Sequence, residues 1–316
     1  MSVPMDAQQS AAQDGITRIS LAELLALRRQ LPRRLAPPVD RVHAVRSGGH
    51  VTTVRGRGMD YRESRAYQHG DDIRRLDWRL TARSGKLHTK LFQEERERSL
   101  MVLLDTNATL RFGTRRRFKS VQAARAAALA AWLGIATNMR VGLAAFGSAR
   151  RVARPQAGSR GAFAIMHALC ETQSTHAEDG RESLSAALQR VSRLVRNGSQ
   201  VLLISDGASL DAETRAALVA LRRHAAVRVL VVADALESAL APAGRYPIAW
   251  QSVVRTLDLQ QQAARVKFRE TLGRAPHRLQ MLARELQLPC RRIETQDEPM
   301  TAVAQLLGIS LGAKQT

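Results

Sequence analysis

The 316-residue chain is short of cysteine, aromatics and acids. Its two cysteines, Cys170 and Cys290, lie far apart and in no CxxC pattern. That argues against a disulfide framework or a structural zinc site and fits a cytoplasmic protein. Aromatics make up 4% of the residues, so the stacking platforms that grip single-stranded nucleic acid are sparse. No apolar stretch reaches the roughly 18 residues of a transmembrane helix. Residues 1–15 are polar, carry Asp6 and Asp14, and lack the basic and apolar regions of a signal peptide; they read as a disordered tail. The eight histidines form no HExxH or paired-ligand spacing. There is no GxSxG elbow and no GxxxxGK[ST] loop, and Gly56-Arg57-Gly58 lacks the third glycine of a dinucleotide fingerprint.

The acids number 28 against 49 basic residues, a formal net charge of +21. A basic surface of this size attracts nucleic acid, an anionic membrane face or an acidic protein partner. Five of the basic residues are lysines (Lys86, Lys90, Lys119, Lys267, Lys314) and the rest arginines, spread with alanine through the whole chain. A genome-wide codon bias would give the same pattern, and the charge is read first as compositional.

Ser20 with Glu23 forms a capping box, opening a short helix from about Leu21 to Leu31 that ends near Pro32. It admits a membrane-surface reading and a reading in which it docks on the body; the second is preferred. Residues 39–58 read as irregular or as a few short strands. Leu87–Glu95 alternates as an exposed strand does. From Ser99 onward strands and helices alternate: strands at 99–104, 141–146, 150–154, 201–205, 227–233 and 290–294, with a further strand within 246–257. The helices fall at 119–138, 161–171, 182–196, 211–224, 260–288 (broken around Gly273 and Pro276) and 299–307. This alternation predicts an α/β fold with a doubly wound, mainly parallel sheet of Rossmann type, preceded by an irregular or β-rich N-terminal region. The expected divisions are a tail (1–18), an N-terminal region (19–97), the α/β domain (98–308) and a C-terminal tail (309–316).

Two buried strands end in oxygen-rich loops. Leu100–Leu104 runs into Asp105-Thr106-Asn107-Ala108-Thr109, and Val201–Ile204 into Ser205-Asp206-Gly207. Ligands of open α/β sheets sit outside the carboxyl ends of the strands, and carboxylates with hydroxyls suit a hard divalent cation such as Mg²⁺. Read blandly, the same residues are helix caps and turns. Arg115-Arg116-Arg117 with Lys119 is the densest basic run; it reads as a phosphate or acidic-partner contact or, equally, as a solvated helix start. Gly70-Asp71-Asp72-Ile73-Arg74-Arg75-Leu76-Asp77-Trp78 packs three acids among two arginines. With no nucleophile or histidine partner in sight, Gly70, Asp71, Asp72, Arg74, Asp77 and Trp78 read as a structural network of ion pairs and caps.

That segment, continued through Arg79–Leu87 and His88–Glu97 directly into the Asp105 strand, closely resembles the bacterial "domain of unknown function 58" family, which looks like a divergent von Willebrand factor A domain. The resemblance covers roughly Val39 to Gly308, with the A-like part from about Arg98. It implies a metal-ion-dependent adhesion site at the carboxyl edge of the sheet, holding Mg²⁺. The D-x-S-x-S element of such sites corresponds to Asp105, with Asn107 and Thr109 in place of the two serines, and the late Asp to Asp206. The second-loop Thr falls near Glu182 and Ser183; these two and Ser205 are additional metal or supporting candidates. Family members resemble accessory partners of MoxR-type AAA+ ATPases, thought to act in maturation or chaperone-like assembly on a client protein. The expectation is a non-enzymatic interaction module, cytoplasmic or peripheral at the inner membrane face. The alternative is nucleic-acid binding through the Arg-rich surface. A metal-dependent hydrolase using Asp71, Asp72 or Asp77 ranks last.

Overall fold

The computed structural model describes residues 15–32, 34–36, 59–94, 98–174, 182–250 and 253–312. Residues 39–58 and the first fourteen, for which irregular structure and a tail are expected, lie outside them. The chain forms two compact units, one of residues 1–39 with 98–316 and a smaller one of residues 40–97.

The larger unit is built on a six-stranded sheet: β1 (Ser99–Asp105), β2 (Arg140–Phe146), β3 (Arg151–Gln156), β4 (Ser199–Ser205), β5 (Ala225–Ala233) and β6 (Cys290–Glu294). Their order across the sheet is β6-β5-β4-β1-β2-β3. All neighbours pair in parallel except the edge strand β3, which returns antiparallel to β2. Leu100–Leu103 and Val201–Ile204 are completely buried, as continuous apolar strands covered on both faces must be. The doubly wound, mainly parallel fold is therefore the observed one.

Alternate residues of β1 feed two cores. Leu100, Val102 and Leu104 pack with helices α1 (Lys119–Ala136) and α2 (Gly158–Ser174) and with the late helix Met300–Leu307. Met101 and Leu103 pack with α3 (Leu184–Leu194), α4 (Thr214–Arg222) and α5 (Gln262–Glu285). The alanine run of α1 lets that helix lie buried nearly all round against the sheet. The chain leaves β1 toward β2 on one side and later builds β4, β5 and β6 on the other. The switch point of the sheet lies between β1 and β4, the crevice where open α/β sheets hold ligands.

Three elements differ from the sequence expectation. The N-terminal helix, Leu21–Ala26 continued as a tight turn to Gln30, buries Leu24 and Leu27 in the α1 core. Trp132 Nε1 donates to Leu24 O at 3.1 Å, so this helix docks on the α/β body, as preferred from the sequence, but groups with residues 98–316 and not within the expected 19–97 division. The C-terminal tail opens with Ser310–Leu311, which pairs with Leu35–Ala36. The helix expected to break at Gly273 and Pro276 is continuous from 262 to 285. Pro276 is buried, and the turn around it is pressed onto the loops after β4 and β5. A Cβ on Gly273 would lie 2.5 Å from Glu237 O, and one on Gly207 would lie 2.4 Å from Ala275 O. Packing on both sides holds the turn in place despite the lost backbone hydrogen bond.

In the smaller unit, Met59–Ala66 pairs antiparallel with His88–Glu94. Between them lie a short turn, Ile73–Arg75, and the helix Trp78–Ser84, which ends at Gly85 in the left-handed conformation (φ 67°).

Candidate functional site

The carboxyl edge beside the switch point gathers five nearly inaccessible ionisable side chains: Asp105, Lys119, Asp206, Asp234 and Glu237. Asp105 ends β1. Its Oδ1 accepts from the Asn107 backbone N–H (3.0 Å) and from Asn107 Nδ2 (2.7 Å). Its Oδ2 accepts from the hydroxyls of Ser205 and Ser209, both at 2.7 Å. Burial, reinforced by the nearby Asp206 carboxylate, pushes the Asp105 carboxyl up to about 6 against these hydrogen bonds. The loop after β1 is tied to the end of β2: Thr106 Oγ1 donates to Phe146 O (2.6 Å) and accepts from the Ala149 N–H (2.9 Å). Gly147 has φ 93°, and a Cβ there would sit 2.8 Å from the Asn107 amide, so only glycine lets the two loops close.

Asp206 follows β4. Its Oδ1 accepts from the Ala208 N–H at 3.0 Å, and its Oδ2 lies 2.8 Å from Lys119 Nζ. The same ammonium lies 2.8 Å from Glu237 Oε1. Burial opposes the charged ammonium, but Asp206 and Glu237 outweigh it and hold Lys119 above the ordinary lysine range. Burial raises Glu237, partly offset by Lys119. Glu237 also closes a capping box with Asp234 at the end of β5. Asp234 accepts from the Thr114 N–H (2.9 Å), Thr114 Oγ1 (2.5 Å), the Leu236 N–H (3.1 Å) and Thr295 Oγ1 (2.8 Å). Burial works against its charge, yet these donors hold its carboxyl below the usual range.

The structure thus brings Asp105, Asn107, Ser205 and Asp206 to one edge, and gives the other candidates different partners or none. Glu182 is bound bidentately by Arg190, at 2.8 and 2.7 Å, and Arg190 Nη2 donates to Ala145 O at 3.0 Å. Ser183 caps α3 by accepting from the Ala186 N–H at 3.2 Å. Thr109 Oγ1 is buried without a hydrogen-bond partner. Asp234, Glu237 and Ser209 escaped the sequence reading, and Lys119 entered it only as part of the basic run after Arg115. The D-A-L-E capping box of Asp234–Glu237, directly after an apolar strand, was a visible signal for two of them. Lys119 had a fainter one, since a cation at the first position of a helix opposes the helix dipole. Of the Arg115–Lys119 run, read equally as a solvated helix start, Arg117 and Lys119 are buried.

These side chains do not make a metal site. The Asp206 carboxylate is committed to an ammonium. Both Asp105 oxygens are saturated by N–H and O–H donors, and Asn107 turns its N–H₂ toward Asp105. One orphan hydroxyl on Thr109 is no coordination sphere for an ion that wants six well-placed oxygens. Among the described residues no group of three or more His, Cys, Asp or Glu could hold a metal.

In the smaller unit the glycine-acid segment turns its polar groups onto its own backbone. Asp71 accepts from Arg65 Nη2 (2.7 Å) and from the Gln68 N–H (2.9 Å). Asp72 accepts from the Arg74 N–H at 3.0 Å. Asp77 caps the Trp78–Ser84 helix through the Leu80 N–H (3.1 Å) and accepts from the Ser64 hydroxyl (2.8 Å). Hydrogen bonds from Gln68 and Leu80, respectively, lead in holding the Asp71 and Asp77 carboxyls below the usual range. Two large apolar side chains of the same segment face outward: Ile73 is 64% and Trp78 65% exposed.

Residues 63–278 match the family model described as "Protein of unknown function DUF58". The chain belongs to the DUF58 family. Uncharacterized proteins of Mycobacterium bovis and Mycobacterium tuberculosis are each 30% identical to it over 167 residues, 52% of this chain and 52% of theirs. The chain therefore spans about half the length of the curated relatives it matches. Among solved structures it is similar to an aerotolerance-related membrane protein of Bacteroides fragilis (TM-score 0.42, 15% identity, 66% of this chain and 96% of that one). It is also similar to the conserved hypothetical protein BatB of Bacteroides thetaiotaomicron (TM-score 0.41, 13% identity, 66% and 96%). A von Willebrand factor type A structure from Catenulispora acidiphila follows at a TM-score of 0.31 and 14% identity, covering 60% of this chain and 45% of that one. These are distant likenesses, and the reading of the DUF58 site rests on its own side chains. No helix among the described residues is long and apolar enough to cross a membrane.

Proposed function

We propose that this DUF58 chain is a non-enzymatic protein-interaction module, acting at the cytoplasmic side as accessory partner of a MoxR-type AAA+ ATPase in maturation or assembly of a client protein. The observation that carries the interaction reading is the outward pair Ile73 and Trp78. Their segment satisfies its acids internally and yet leaves an indole 65% exposed. Exposed aromatics beside arginine are the side chains that dominate interface energies, and Arg74, Arg79 and Arg83 on the same short stretch are exposed as well. Such a patch fits an acidic partner surface, with the net charge of +21 adding steering toward it. The Mg²⁺ that the resemblance implies has no part in this proposal, because Asp105, Asn107 and Asp206 are spent on one another, on nearby hydroxyls and on Lys119, which leaves only the Thr109 hydroxyl.

The test is co-sedimentation of the full chain with a MoxR-type AAA+ ATPase, without nucleotide. Trp78→Ala is expected to weaken the complex at least tenfold while leaving the unfolding midpoint within about 2 °C, since the side chain packs against little. A complex untouched by Trp78→Ala and Ile73→Ala contradicts the reading. Retention on DNA that fades steeply with salt would favour nucleic acid instead.

A further inference from the structure

Lys119 is the first residue of α1, where the helix's own positive end disfavours a cation. It is nevertheless buried, with its side chain 4% exposed. Burying a lysine is costly unless its charge is matched. Here it is matched twice, by Asp206 Oδ2 and Glu237 Oε1, both at 2.8 Å. The Phe112 ring centre lies 5.9 Å from Nζ on a further side, a cation–π contact. The three elements so joined are α1, which follows β1, and the loops after β4 and β5. One ammonium therefore gathers acids from separate loops at the carboxyl edge and fixes their spacing.

That is the work a divalent ion does where carboxylates from several loops converge. We propose that Lys119 is a built-in cation that takes the structural and electrostatic place of a divalent metal at this sheet edge, so that the native chain holds its edge together without binding Mg²⁺ or Mn²⁺. The neighbouring groups agree. Asp105, the other acid at the switch point, has all its oxygens on hydroxyl and amide donors. A dication beside the ammonium would meet like charge at short range. The role of the lysine is independent of which partner docks on Trp78, so a failed metal test and a failed partner test are read separately.

The experiment uses the full chain stripped with EDTA, titrated with Mn²⁺ alone by calorimetry and unfolded thermally with and without Mn²⁺. The native chain is expected to show no saturable Mn²⁺ binding and the same midpoint in both buffers. Lys119→Ala is expected to unfold roughly 10 °C lower in EDTA and to regain part of that loss with Mn²⁺, because its acids are then free to converge on an ion. Saturable one-site Mn²⁺ binding to the native chain, abolished by Asp206→Asn, would overturn the proposal, and so would a Lys119→Ala chain as stable as the native one. Should Lys119→Ala fail to fold, the titration of the native chain decides.

Discussion

Lys119 Nζ and Asp206 Oδ2 stand 2.8 Å apart, with the two side chains only 4% and 2% exposed. Removing one partner of such a pair leaves the other charged and dry, which costs about 3–5 kcal/mol. Lys119→Met, which keeps most of the packing volume, should lower the free energy of unfolding by that order in urea at neutral pH. Loss of less than about 1 kcal/mol would mean that the pair is far better hydrated than its burial implies.

Asp105 gives a pH signature of unusual sign. Its carboxyl, ordinarily near 3.8, is pushed up to about 6 by burial and by Asp206. The folded state therefore holds the proton more tightly than the unfolded chain does. The stability it contributes is complete below pH about 4, falls as the pH rises through about 6, and is level above, a change on the order of 3 kcal/mol. Urea unfolding of the native chain and of Asp105→Asn between pH 4 and 7 checks this: the native chain's stability relative to the variant should decline across that window. A constant difference would show that Asp105 is not perturbed.

Asp234 behaves in the opposite way. Four donors hold its carboxyl below the ordinary value despite burial. Its contribution is present above about pH 4 and is lost as the pH falls through the lowered folded value. Asp234→Asn should cost about 3 kcal/mol at pH 7, given hydrogen bonds to a charged group from both Thr114 and Thr295. The gap between variant and native chain should narrow on acidification below pH 4. A gap that widens there would contradict the assignment.

Gly207 has φ 83°, and a Cβ on it would lie 2.4 Å from Ala275 O, a backbone atom that cannot swing aside. Gly207→Ala should therefore destabilise by about 2–4 kcal/mol, combining left-handed strain with overpacking. Because Gly207 adjoins Asp206, the variant should also disturb the Lys119 contact, seen as a smaller additional loss when combined with Lys119→Met than the two losses summed.

Much of the fold was legible because buried parallel strands announce themselves: Leu100–Leu104 and Val201–Ile204 are continuous apolar runs, and their terminal acids Asp105 and Asp206 lie where strand-end ligands lie. The strand Met59–Ala66 was not legible, since its charged sequence lacks the alternation that marks a half-buried strand. Nor was the unbroken course of α5 past Pro276, which depends on packing against Gly207 and Glu237. The site was half legible for a related reason. Asp206 and Lys119 are 87 residues apart, and Glu237 and Lys119 118 apart. A single lysine in an arginine-rich run carries no mark of where its ammonium ends up. The resemblance pointed to a metal, whereas the folded chain supplies a cation of its own.

The most direct measurement is therefore sedimentation of the full chain with the MoxR-type ATPase, nucleotide-free, in EDTA and in Mg²⁺. A complex of equal affinity in both buffers, weakened at least tenfold in Trp78→Ala, is the predicted result. A complex that forms only with Mg²⁺ and disappears in Asp105→Ala would contradict the account.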